Sequence, residues 1–186
     1  MKQQLATAVL GLTLCFVLTS AAAAAPALPN TLTAILSGSF THAGVDLNGD
    51  TVAGAFHSQG SGVGTLGKLT WTSLSEVDPN FAVNTPRCPG LLDFTYDALA
   101  AVLSYKDGRD LLYLRLEPGD VAYGCVDPAT FDNDASFDLT VVGGTGRFVG
   151  ATGFAHVELL VNSLLFDAAG GYVFGAGGGS LTVQLD

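Results

Sequence analysis

The chain has 186 residues, 48% of them hydrophobic and 24 of them glycine, and its 7 basic against 17 acidic side chains give a formal net charge of −10. A surface this acidic repels phosphate backbones, so we expect no nucleic-acid partner. After the first residues, no apolar stretch approaches the roughly 20 residues that a membrane-spanning helix needs, so we expect no membrane span.

The first 25 residues have the pattern of a secretory signal peptide. Lys2 precedes an apolar stretch over 5–18, and small residues that offer A-x-A cleavage sites follow over 20–27. The apolar stretch is too short to span a membrane and no basic stop follows it. We therefore predict a signal peptide at 1–25, cleavage within 22–27, and one domain over 26–186 that is secreted or periplasmic.

Alternation of apolar and polar residues with period 2 predicts strands along most of the remaining chain. In chain order they are 33–42, 63–74, 94–105, 111–116, 137–142, 154–161, 162–168 and 181–185. An Asp-Gly pair within 106–109 predicts a hairpin between the third and the fourth. About eight strands at hairpin spacing predict an all-β fold, a single antiparallel β-barrel. Within 63–74 we expect Val63, Leu69 and Trp71 to share one face.

Two proline-containing segments, 76–90 and 117–134, are predicted to be long loops. They contain Cys88 and Cys125, the two cysteines that remain after signal removal. In an exported protein two such thiols predict one disulfide between the loops. Closing a loop of this length contributes about 3–4 kcal/mol in the chain-entropy description.

The glycine-rich stretch 142–153 lies between two alternating runs. Its structural glycines are Gly143, Gly144, Gly146, Gly150 and Gly153. A dinucleotide-binding loop needs G-x-G-x-x-G ahead of a helix, whereas here the spacing is one residue too long and a strand pattern follows. The stretch therefore predicts a tightly bent connection between strands. In it, Arg147 is expected to bond turn carbonyls or to pair with a carboxylate such as Asp138.

Residues 143–153, GGTGRFVGATG, resemble the signature of the allene oxide cyclase and dirigent protein superfamily, and of exported bacterial proteins that share this turn. The resemblance is good over 136–161. It implies an eight-stranded antiparallel barrel with an apolar interior, in which this motif connects late strands. The cyclase's catalytic positions match no residues here, and the dirigent arginine near Thr152 is missing, so catalytic residues stay unknown.

Four residues are candidates for ligand binding: Trp71, Tyr96, His156 and Glu158. The two aromatic residues are expected in the barrel core or, if the interior is hollow, in the wall of a cavity. His156 and Glu158 share one face of a predicted strand. Facing inward they form a polar spot in an apolar cavity, where pKa values shift; facing outward they are solvated. The alternating residues Ala155, Val157, Leu159 and Val161 make the more apolar face, which favours the outward alternative.

A D-x-N-x-D pattern places the oxygen ligands of Asp46, Asn48 and Asp50 around one tight turn, as a calcium ion requires. A complete EF-hand is excluded because Thr51 and His57 stand at its glycine and glutamate positions. The alternative is a solvated hairpin turn that binds no metal. Calcium is the one cofactor that the sequence suggests.

The functional hypotheses belong to three classes. The first is a non-catalytic binder of a small apolar molecule, or a structural module. The second is a cyclase- or isomerase-type or dirigent-like enzyme acting on a guest in the barrel, and the third is a calcium-dependent extracellular adhesin. Self-association into a homo-oligomer is left open.

Overall fold

The computed structural model describes residues 27–49, 51, 54–167 and 172–186. The predicted signal peptide lies outside these residues. They form ten strands: Thr31–His42 (β1), Ala55–Gly64 (β2), Gly67–Val77 (β3), Ala82–Val83 (β4), Leu92–Tyr105 (β5), Asp110–Arg115 (β6), Ala122–Val126 (β7), Asn133–Gly144 (β8), Gly153–Asp167 (β9) and Tyr172–Leu185 (β10). Within the described ranges, no helix has the length and apolar character needed to cross a membrane.

The sheet closes on itself, and every strand pair is antiparallel. The hydrogen-bonded order β3-β2-β1-β10-β9-β8-β6-β5 is completed by pairing of β5 with β3. The short strands β6 and β7 lie one after the other between β5 and β8, and each pairs with both. Together they therefore count as one of the eight strands around the barrel. The result is a closed eight-strand antiparallel barrel. The predicted all-β single barrel is confirmed.

Alternation along each strand divides the side chains between the interior and the outer surface. On β1, Leu32, Ala34 and Leu36 are buried, whereas Ile35 between them is 69% exposed. The other strands contribute a matching inner set, so the core is one apolar cluster inside the barrel.

The glycine-rich turn closes one end of the barrel. It carries the chain from β8 through a short 3-10 turn, Gly146–Phe148, into β9. The Phe148 side chain points into the barrel, is fully buried, and lies with its ring centroid 5.5 Å from that of Tyr105. The Thr145 backbone N–H donates to the Leu111 carbonyl at 2.8 Å, which fixes the turn to β6. Phe148 therefore fills the closed end as a plug.

Arg147 fixes the turn through a buried ion pair with Asp110. Its Nε donates to Asp110 Oδ2 at 2.6 Å and its backbone N–H to Oδ1 at 3.2 Å. Burial raises the pKa of Asp110, but the hydrogen bonds from Arg147 outweigh burial and hold that pKa below its usual value. The prediction that Arg147 pairs with Asp138 is wrong, because Asp138 lies on the outer face of β8, where its carboxylate contacts His156.

Glycine is required within this turn by both conformation and space. Gly146 has φ 58°, and a Cβ there would collide with the Asp110 carboxylate and the Arg109 carbonyl. Such a position strains every residue with a side chain. Because β9, and no helix, follows the turn, the interpretation as a bent β-connection is confirmed and the dinucleotide loop is excluded.

Several predicted elements differ from the structure. The expected strand 63–74 is a hairpin of β2 and β3 that turns between Gly64 and Gly67, so Val63 is 63% exposed while Leu69 is buried. The predicted strand 154–161 and most of 162–168 form one strand, β9. The expected loop 117–134 contains β7.

The predicted disulfide pair is found at bonding distance. Cys88 and Cys125 have their Cα atoms 5.4 Å apart. Cys88 follows β4 in the connection to β5, and Cys125 lies in β7. The pair fixes that connection to the barrel wall.

We predict that Phe148→Ala destabilises the barrel strongly. Removal of a fully buried phenylalanine leaves a cavity at the closed end and typically costs about 3–5 kcal/mol. Chemical denaturation measures the loss. Val149→Ala is the matched control, because Val149 is 76% exposed beside it and its truncation should be nearly neutral. Equal stabilities of the two variants would contradict the role of Phe148 as a plug.

Candidate binding cavity

Above the plug, the barrel encloses a cavity of about 450 Å³. Its floor is formed by leucine side chains, among them Leu36, Leu114 and Leu181. It opens at the opposite end, where the β1–β2, β3–β5 and β7–β8 connections lie. Cavities of this size hold drug-sized ligands. The barrel is therefore a cup, closed by the glycine-rich turn and open at the other end.

One wall of the cup is a continuous series of aromatic rings. Ring centroids are 5.7 Å apart between Phe81 and Phe94, 5.2 Å between Phe94 and Tyr96, and 4.9 Å between Tyr96 and Phe137. A shift in the β3–β5 register beside Glu76 and Val77 allows Tyr96 and Leu99 both to line the cavity. Ring pairs in tilted and edge contacts stabilise one another, so this wall is a rigid apolar surface.

Trp71 lines the wall formed by β1, β2 and β3. Its indole lies against Gly38 and Gly60, where a Cβ would come within 2.6 Å of the Trp71 ring at Gly38 and 2.8 Å at Gly60. These two glycines therefore let the indole lie flat on the backbone. Trp71 is the single tryptophan of the chain, so a change in tryptophan emission on addition of a ligand reports on this wall of the barrel.

A few polar groups interrupt the apolar lining. Asn133 lies at the start of β8, and Tyr96 lies on β5; both side chains line the cavity. Burial raises the pKa of the Tyr96 hydroxyl well above its usual range, and the Asn133 amide opposes this increase in part. On β2 and β3, Ser58 and Ser73 form a cross-strand pair that also lines the cavity.

The open end is held in shape by a buried carboxylate that no sequence pattern singles out. Glu76 is 1% exposed. Its Oε2 accepts from the backbone N–H groups of Leu47 and Asn48 at 2.6 and 2.7 Å, and its Oε1 accepts from Gly54 at 3.3 Å. Such a carboxylate satisfies several loop amides at once. Glu76 therefore ties the β1–β2 loop to β3.

The candidate calcium turn lies in that loop. The Asp46 carboxylate accepts from the backbone N–H groups of Gly49 at 2.6 Å and Thr51 at 2.9 Å. The Asn48 side chain donates to Asp97 at 3.3 Å. Asp50 lies outside the described residues, within which no cluster of three metal-ligating side chains occurs. Calcium at Asp46, Asn48 and Asp50 stays a prediction.

The four ligand candidates fall into two groups. Trp71 and Tyr96 line the cavity. His156 and Glu158 lie on the outer face of β9, where their side chains are 42% and 67% exposed. The alternative that places these two in a polar spot inside the barrel is wrong, because β9 turns Ala155 and Val157, which alternate with them, inward.

His156 forms a small ionic cluster on the outer surface. Its Nδ1 lies 2.7 Å from Asp138 Oδ1, and its Nε2 lies 3.4 Å from Glu158 Oε1. The hydrogen bond with Asp138 is the main reason why the pKa of His156 is raised, burial opposes it, and Glu158 adds to the increase.

The comparisons with known proteins give no family. No protein-family model, no curated protein and no solved structure matches this chain. The class of protein that fold and cavity define is thus a closed eight-strand antiparallel β-barrel with an apolar, open interior.

Sequence reasoning singled out Tyr96 but missed the other polar residues of the cavity, Asn133, Ser58 and Ser73. Asn133 falls at the end of a predicted loop, although it alternates with Ala135 and Phe137, which are buried. Extending the alternation of the predicted strand 137–142 backward by four residues puts Asn133 on the inner face. Ser73 alternates with Trp71 in the same way. The period-2 pattern was the available signal.

We predict that the pKa of His156 lies above 6.5 and falls in Asp138→Asn. A raised pKa in the folded state means that protonation of His156 stabilises the fold. The added free energy of unfolding is complete below about 6.5, the pKa of histidine in the unfolded chain. It is lost as the pH rises through the pKa of His156 in the folded protein. NMR titration of the His156 ring in the parent protein and in Asp138→Asn measures both values. A His156 pKa at or below that of a free histidine would contradict the cluster.

Proposed function

We propose that this protein is a non-catalytic binder that holds one small apolar molecule in the barrel cavity. The observation that carries the proposal is the cavity of about 450 Å³ above a packed closed end. A barrel of eight strands is narrow enough for side chains to fill it completely. Here aromatic and leucine side chains form walls around open space instead. An apolar guest gains the free energy of leaving water on entering such a site.

The acidic surface and the cysteine pair support a location outside the cytoplasm. Cys88 and Cys125 lie at bonding distance, and disulfides persist in oxidising compartments. We propose that the protein is exported by the segment 1–25 and works in the periplasm or the extracellular space. A carrier of an apolar guest there keeps the guest in solution.

We predict that fatty-acid-derived and phenolic compounds screened against the purified protein include ligands that change Trp71 emission and raise the melting temperature. A ligand at about 100 times its Kd stabilises a fold by about 2.7 kcal/mol. For a domain of this size that is a shift of roughly 5–10 °C. The readouts are intrinsic fluorescence and differential scanning calorimetry.

A Trp71→Phe variant is the control, because it should keep the thermal shift and lose the fluorescence change. If no compound in a broad apolar library raises the melting temperature, the binder proposal fails and a purely structural module is the better description.

The second candidate is an enzyme of cyclase or isomerase type that shapes a reactive guest. It rests on the family resemblance of residues 143–153 and on Tyr96, whose hydroxyl is a neutral hydrogen-bond donor in an apolar cavity that Asn133 also lines. A donor of this kind stabilises an oxygen on which negative charge develops.

We predict for this candidate that the protein changes the ring closure of reactive allylic epoxides and yields an excess of one enantiomer. Tyr96→Phe should abolish the excess, because only the hydroxyl is removed. Chiral chromatography of the products measures it. Products of the same chirality ratio as in buffer would eliminate the enzyme and leave the binder.

A further inference from the structure

We infer that the molecule held in the cavity is an uncharged lipophile whose one polar oxygen is hydrogen-bonded by Tyr96 and Asn133. This inference rests on the proposed binding function and names the chemical class of its ligand. It follows from three features of the cup: the lack of charge in its lining, the position of its polar groups, and the sign of charge around its opening.

None of the described residues that line the cavity has a charged side chain. A carboxylate or an ammonium group inside would lose its hydration without gaining an ionic partner. Burial of an unpaired charge costs far more than burial of a hydroxyl that keeps a hydrogen bond. The lining therefore selects against organic acids and amines whose charged group enters the barrel.

Two of the polar groups lie together on one side of the upper half of the cup. Tyr96 on β5 and Asn133 on β8 line the cavity on either side of β7, above the leucine floor, whereas Ser58 and Ser73 lie on β2 and β3. Asn133 Oδ1 is buried without a hydrogen-bond partner among the described residues. An unpaired buried acceptor is costly, so a guest that brings a hydroxyl to this amide is favoured. The tail of the guest then extends toward Leu114 and Leu181.

Charge at the opening disfavours an anion that leaves its head group outside. The described connections at the open end bear Asp46, Asp78, Asp127 and Asp132. Arg87 is the basic residue of these described connections, and its guanidinium is paired with Asp93. The basic side chains Lys68, Lys106, Arg109 and Arg147 lie instead at the closed end. A protruding carboxylate would meet an acidic rim, which repels it.

The test uses three probes that share one chain and differ in the head group: decanol, decanoate and decylammonium. Calorimetric titration of the purified protein near neutral pH gives the affinity of each. We expect decanol to bind at least about tenfold more tightly than either ion, because only the alcohol keeps its polar group satisfied. Tighter or equal binding of decanoate or decylammonium would overturn the inference and leave the binding function standing. If none of the three binds although a compound of the broad apolar library does, the inference is overturned and the binding function stands; if no compound of that library binds, the proposed function itself fails.

Two variants test where the oxygen lies. Asn133→Leu should weaken decanol binding by roughly 3–10-fold, the usual value of one hydrogen bond. Asn162→Leu is the matched control, because Asn162 is exposed on the outer face of β9 and should bind decanol like the parent. Unchanged affinity in Asn133→Leu would contradict the assignment of the amide, and the three-probe comparison in the parent protein does not depend on how well either variant folds.

Discussion

The rest of this structure depends on one buried aromatic side chain that closes one end of the barrel. Phe148 is presented by a 3-10 turn, which Arg147 and Asp110 hold against β6 through buried hydrogen bonds. A closed sheet has no edge strands, but it has two ends that must each be filled or covered. With Phe148 in place, the apolar residues of the lower half pack against a floor, and the upper half stays open.

The two halves of the barrel therefore differ: the lower half is packed with side chains, and the upper half is open. The lower half contains the fully buried Leu32, Leu112 and Leu181, and most of the stabilising burial belongs there. The upper half contributes side chains that contact one another along the wall instead of across the barrel, as the ring series from Phe81 to Phe137 does. Stability and binding therefore use different residues of the same strands. A ligand that fills the upper half adds the apolar contacts that the wall leaves unmade.

Period-2 alternation was enough to predict the barrel. Leu32 to Leu36 on β1 and Phe137 to Val141 on β8 alternate clearly, since one face is buried and the other is solvated. The glycine-rich turn was also predictable, because the residues that follow it alternate with the period of two typical of a strand. A dinucleotide-binding loop would be followed by the pattern of a helix. The disulfide pair followed from counting the cysteines that remain after the predicted signal peptide.

Two features could not be predicted from the sequence: the register between paired strands, and the open space inside the barrel. The partner of Arg147 depends on how β6 lies beside β8, which local sequence does not specify, so Asp110 was missed and Asp138 was expected. The β2–β3 hairpin was hidden because Gly64 and Gly67 lie in a glycine-rich stretch with weak strand propensity. Whether Trp71 and Tyr96 pack in a core or line a cavity depends on the distance across the barrel, and no residue pattern records that distance.

The central claim is that the upper half of the barrel is hollow and apolar, and xenon tests it most directly. Xenon enters dry apolar cavities and leaves polar, hydrated ones unoccupied. Crystals of the protein pressurised with xenon should show the gas between Trp71 and the ring of Tyr96, above Leu181. A barrel interior filled by side chains, or by ordered water with no xenon, would contradict the account.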